Sequence, residues 1–225
     1  MNDSENRRHE MFTRVRDFGE AHTADFAANS IGKQLFTDIT AIVTELDGHA
    51  SSQVSGFGSA RQGTATRAQA RSALRDDLEA INRTARTIPG TEDKFRLPRG
   101  PNDQNLIAAA RAFAADAAPL SALFIAHELP ADFLDDLNDD ILALEQAISA
   151  QSSGVGDHVA AGAAIDETID RGVETVRKLD AVVKNKYTNN PATLAEWTSA
   201  SHTERAPRRR SSQTPPAQPP APPTP

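Results

Sequence analysis

Apolar residues recur at intervals of three and four along nearly the whole chain, the spacing that places them on one face of an amphipathic helix. Met11, Val15, Phe18, His22 and Phe26 predict a first helix over about 4–27. Leu35, Ile39, Ile42, Leu46, Ala50, Val54 and Phe57 predict a second over about 30–58. Ala70, Leu74, Leu78, Ile81, Ala85 and Ile88 predict a third over about 64–88, stopped by Pro89-Gly90. Leu106, Ala110, Phe113, Ala117, Leu120 and Phe124 predict a fourth over about 103–128. It should kink at Pro119, which removes a backbone donor and crowds the preceding turn.

Pro130 suits the first turn of a fifth helix over about 130–152, because an N–H there would have no partner in any case. Phe133, Leu137, Ile141, Leu144 and Ile148 form its apolar face. Val155, Val159, Ile165, Ile169, Val173, Val176, Val183 and Tyr187 predict a sixth over about 156–187, and Pro191 opens a short seventh through Trp197. No segment alternates with period two, so no sheet is expected. The fold class predicted is all-α. Long amphipathic helices joined by short links suggest a single-domain, mostly antiparallel, coiled-coil-like bundle of about six long helices over residues 1–200. Residues 201–225 are Pro-rich and basic and offer little to bury, so they are expected to form a disordered tail of spacer character.

The stretch "GFGSARQG" at 56–63 superficially resembles a phosphate-binding loop. Its third glycine, Gly63, comes too late for a dinucleotide fingerprint, and Arg61 stands in the pattern. Thr64 and Ala65 replace the Lys-Ser/Thr of a Walker loop, and no strand precedes it. The expectation is a joint between the second and third helices, with Thr64 or Thr66 capping the latter.

Composition narrows the picture further. The 225 residues include no Cys, which excludes disulfides and thiolate chemistry, and aromatics make up only 5% beside abundant Ala. The polar opening "MNDSENRRHE" has no signal-peptide character, and no apolar run approaches the ~20 residues of a membrane span. These features suggest a cytoplasmic chain, and the excess of Arg over Lys with abundant Ala suggests a bacterial source. A net charge of -7 disfavours nucleic-acid binding.

The charge is segregated. Residues 61–111 hold ten basic and six acidic side chains, while 112–170 hold twelve acidic ones and no Lys or Arg. Arg67, Arg71 and Arg75 share one helical face, and Asp132, Asp136 and Asp139 share another beside Asp135 and Asp140. The matching spacing predicts that the two stripes meet, within one chain or across a dimer, at the ~8–10 Å separation of packed helices. The loop 89–104 carries Lys94, Arg96 and Arg99 beside Phe95 and Leu97. It is either a functional loop or one whose apolar residues tuck back onto the bundle. In the tail, Arg208-Arg209-Arg210-Ser211 has the form of a basic phosphorylation target and Pro216–Pro219 is a P-x-x-P.

Candidate chemistry is sparse. The six His are scattered, Glu-x-x-His does not occur, and the acidic stripe lacks the pattern of a calcium loop, so no metal or cofactor is expected. No catalytic residue can be named. The reading favoured is a non-catalytic protein-interaction or structural module whose partner is another protein or a second copy. Its contacts would fall among Arg67, Arg71, Arg75, Lys94, Phe95, Arg96, Arg99, Asp132, Asp136 and Asp139. One alternative is an amphipathic surface-coating protein, loosely like the Ala-rich phasins, and another is an enzyme or metal-dependent bundle.

Overall fold

The computed structural model describes residues 1–91 and 93–204, and within them every regular element is helical. The basic and Pro-x-x-Pro segments of the tail lie outside the described residues. The α-helices are α1 (Asp3–Ala21), α2 (Ile31–Ala85), α3 (Asp103–Ala117), α4 (Ser121–Ala126), α5 (Phe133–Lys186) and α6 (Pro191–Ala200). Short 3-10 turns occupy Thr23–Asp25 and Ala118–Leu120.

The largest departure from the sequence reading is the length of α2 and α5. The expected joint at Gly56–Gly63 does not exist: α2 runs unbroken for 55 residues, about 80 Å at the α-helical rise. The fifth and sixth predicted helices are likewise one element of 54 residues. The glycines that suggested breaks serve packing instead. A Cβ on Gly56 would lie 2.7 Å from the backbone nitrogen of His158, and one on Gly154 would lie 2.7 Å from that of Ala60. A Cβ on Gly63 would lie 2.9 Å from the Cα of Gln151. These pairs run in opposite senses along the chain, so the two helices pass antiparallel here with their backbones nearly touching. Only residues without side chains permit that approach.

Contacts divide the chain into two compact units. Unit one comprises Met1 and residues 44–170. Its core gathers Leu74, Leu78 and Ile81 of α2, Leu106, Ile107 and Phe113 of α3, Phe124 of α4, and Phe133, Leu137 and Leu144 of α5. Asn102 caps α3 by accepting from the Asn105 N–H at 3.1 Å. Where one helix kinked at Pro119 was expected, a 3-10 turn at Ala118–Leu120 separates α3 from α4. Residues 103–126 are long and apolar enough to cross a membrane, contrary to the sequence expectation. Here Leu106, Ile107, Ala110, Phe113, Ala117 and Phe124 from that stretch are buried in the unit-one core. The C-terminus of α4 closes with the Leu129 N–H donating to the Phe124 carbonyl at 3.2 Å, across Glu128 at φ 67°. That left-handed position normally favours glycine.

Among the described residues, unit two comprises 2–43 and 171–204. Asn2 caps α1 and forms a reciprocal capping box with Glu5. Pro191 sits in the first turn of α6, as its fixed φ favours, with Asn190 capping. Phe18, Phe36 and Trp197 form an aromatic cluster, with ring centroids 5.2 Å apart for Phe18–Trp197 and 6.3 Å for Phe36–Trp197. The indole N–H of Trp197 donates to Asp180 at 3.0 Å, which satisfies the one polar atom of a side chain that is otherwise enclosed. Tyr187 donates its hydroxyl to Asp25 at 2.7 Å. Burial and this hydrogen bond raise the Tyr187 pKa, and the same bond lowers that of Asp25.

Candidate functional site

Arg67, Arg71 and Arg75 do share a face of α2, but the acidic stripe is not what they meet. Their partner is Asp103, the first residue of α3, whose side chain is 4% exposed. Arg67 Nε approaches one carboxylate oxygen at 2.6 Å and Arg71 Nε the other at 3.2 Å. Arg67 also donates to Gln151 Oε1 at 2.8 Å, joining α2, α3 and α5. Gln151 in turn donates to Thr64 Oγ1 at 2.7 Å. Arg75 pairs with Glu79 one turn on, and its guanidinium lies 3.5 Å from the Pro98 carbonyl. The stripe therefore clamps the start of α3 and the end of the basic loop.

The acidic stripe faces elsewhere. Asp132, Asp136 and Asp139 are exposed. Asp140, half-buried, approaches Asp77 of α2, so like charges rather than opposite ones confront each other. Burial raises the Asp77 carboxyl to about 6, reinforced by Asp140 and then by Asp136. Burial also raises Asp140, while its hydrogen bond to Asp77 pulls the other way. A shared proton between the two carboxyls fits these directions. Within one chain the expected α2–α5 charge pairing fails, because spacing along one helix does not determine which residues of a neighbour it faces. Among the described residues, no three His, Asp or Glu side chains are placed to hold a metal ion.

The loop after α2 tucks its apolar residues back onto the core, with Leu97 packed against the same cluster as Phe95. Phe95 is buried, with its ring 5.3 Å from Phe113 and 5.5 Å from Phe124, each edge to face. The Asn82 side-chain amide donates to the Phe95 carbonyl, and Thr91 Oγ1 donates to the Ala85 carbonyl at 2.6 Å. Lys94 turns to Asp116 of α3 at 3.1 Å. With these tethers in place, Arg96 and Arg99 remain exposed and share a cavity with Arg86.

A different surface was misread as core. Val54 and Phe57 on α2 are 71% and 57% exposed, and Val155 and Val159 on α5 are 50% and 63% exposed. The Phe57 ring lies 5.8 Å from that of His158, whose Nδ1 is 3.0 Å from the Gln53 carbonyl. The opposite side of the same helix pair is a shallow groove lined by Ser52, Ser55, Ser59 and Asp157 together with alanines. The large exposed apolar side chains of this stretch, Val54, Phe57, Val155 and Val159, lie outside the groove. Their helical spacing lets these four residues occupy the same side once α2 and α5 are each continuous and antiparallel.

These features define an all-α protein with two very long helices that touch through glycine. Comparison with protein-family models, curated proteins and solved structures gives no match.

Proposed function

We propose that the chain is a non-catalytic protein-interaction module that self-associates through the apolar side of its α2–α5 pair. The observation that carries this reading is the exposure of Val54, Phe57, Val155 and Val159 on that side. A few hundred Å² of contiguous apolar surface on a soluble protein generally marks a contact site. Two antiparallel helices alone cannot enclose an apolar face. Two such pairs brought face to face form a four-helix layer that does, with knobs from each pair entering gaps in the other. The groove elsewhere on the pair is lined mostly by small residues, Ser, Gly and Ala, so the large apolar side chains are the ones offered for contact.

Light scattering across a concentration series tests the proposal. The wild type should increase in mass with concentration, and the paired variant Phe57→Ser/Val155→Ser should remain monomeric with an unchanged helical signal. A wild type that stays monomeric throughout overturns the self-association reading. If that monomer instead binds apolar particles or vesicles through the same residues, the surface-coating alternative takes its place.

A further inference from the structure

Arg86 on the turn after α2 and Arg96 and Arg99 on the following loop line one cavity of about 570 Å³, with Asn82, Leu97 and Asp93 completing its wall. We propose that this cavity binds a dianionic phosphate monoester group. Three guanidiniums against one carboxylate leave a net +2 among the described lining residues. A phosphate monoester carries about −1.5 to −2 at neutral pH, which matches that surplus where a carboxylate would not. Arginine also presents planar pairs of N–H donors suited to phosphate oxygens.

Three further features support a built site. First, the loop is anchored: Phe95 is in the core beside Arg96, and Asn82 holds the Phe95 carbonyl. Arg96 therefore extends from a backbone held at its neighbour, which lowers the ordering cost of binding. Second, Lys94, the remaining cation of the loop, is committed to Asp116 and leaves the cavity to the arginines. Third, Arg96 is occupied by Asp93 in an exposed pair, which a ligand oxygen would replace. Such a pair is weak and readily exchanged. The cavity is larger than a phosphate group, so it admits the carbon portion of an ester. The lining includes no aromatic ring for base stacking, which separates it from single-strand nucleic-acid sites.

The site is independent of the apolar side of α2–α5, and either proposal can fail without the other. The test is titration of the full chain, followed by amide NMR, with inorganic phosphate, ribose 5-phosphate, a phosphoserine peptide and acetate. Saturable shifts at Arg86, Arg96 and Arg99 are expected with the two esters, which should bind more tightly than inorganic phosphate, and none with acetate. Arg86→Ala and Arg99→Ala should each weaken ester binding by about 10-fold, in line with loss of one charge-assisted contact at an exposed site. Asp93→Asn should strengthen it by about 3-fold by removing the competing carboxylate. Lys94→Ala should leave it unchanged, and all four variants should melt as the wild type does. A preference for ribose 5-phosphate would identify a free metabolite, and a preference for the peptide a phosphorylated chain. The proposal is overturned if no ester saturates by about 50 mM, if acetate competes equally, or if Arg86→Ala and Arg99→Ala bind unchanged.

Discussion

The same substitution, glycine to alanine, should have opposite effects at different positions on α2 and α5. At Gly56 and Gly154 the new Cβ would sit 2.7 Å from backbone nitrogen of the facing helix, where ordinary contact begins at 3.4 Å. Backbone cannot rotate aside, so the helices must part by at least the missing 0.7 Å. A gap of that size forfeits about a quarter to a half of the dispersion energy of the atoms along the seam. Overpacking of this kind costs about 1–3 kcal/mol, against a helix-propensity gain of about 1 kcal/mol for replacing glycine. Gly56→Ala and Gly154→Ala should therefore each destabilise unit one by about 1 kcal/mol. At Gly58 and Gly156, where a Cβ meets nothing within 4 Å, only the propensity gain remains. Gly58→Ala and Gly156→Ala should stabilise by about 0.5–1 kcal/mol. Urea unfolding should separate the two classes by about 2 kcal/mol, or about 4–8 °C in a thermal melt. The reasoning is refuted if Gly56→Ala and Gly154→Ala stabilise as much as Gly58→Ala and Gly156→Ala.

Other consequences concern charge and caps. Asp77 titrates near 6 in the folded chain and near 3.8 when free, so the folded state holds the extra proton between those values and stability falls as pH rises through them. Asp77→Asn should thus stabilise by about 1 kcal/mol at pH ~7, after allowance for partial solvent exposure, and by almost nothing at pH ~4, as read from urea midpoints. Asp103→Ala leaves Arg67 and Arg71 without their shared acid and should destabilise by about 2 kcal/mol in the same assay. Because Arg71 meets Asp103 rather than Asp136, the pair Arg71→Asp and Asp136→Arg should show coupling within about 0.5 kcal/mol of zero in a double-mutant cycle. Glu128→Gly relieves a left-handed backbone at φ 67° and should raise stability by about 1 kcal/mol, measured by thermal unfolding.

The all-helical class was legible because the apolar faces repeat cleanly: Leu74, Leu78 and Ile81 in one helix and Phe133, Leu137 and Leu144 in another are all buried as their spacing predicts. Pro119 and Pro191 also mark real element boundaries. The continuity of α2 and α5 was hidden because Gly, Ser and Ala interrupt the apolar rhythm at the contact where small residues are required. Local propensity reads such a stretch as a turn, although tertiary packing makes it helical. Complementary glycines at 56 and 63 and at 154 were the available signal. The Arg67–Asp103–Arg71 clamp was missed for a different reason. Asp103 belongs to neither charge stripe, and only the "PND" before α3, with Asn102 capping, pointed to an ordered helix start there. Val54, Phe57, Val155 and Val159 were read as core because periodicity locates an apolar face but not what covers it.

The sequence contains no cysteine, so a single introduced thiol can test the proposed contact face on the apolar side of the α2–α5 pair. Val54→Cys places a single thiol on the apolar side, and Ser55→Cys places one on the groove side of the same helix. Under mild oxidation at matched concentration, rapid covalent dimer is expected for Val54→Cys and little for Ser55→Cys on a denaturing gel. Equal cross-linking at the two positions, or none at Val54→Cys, would contradict it.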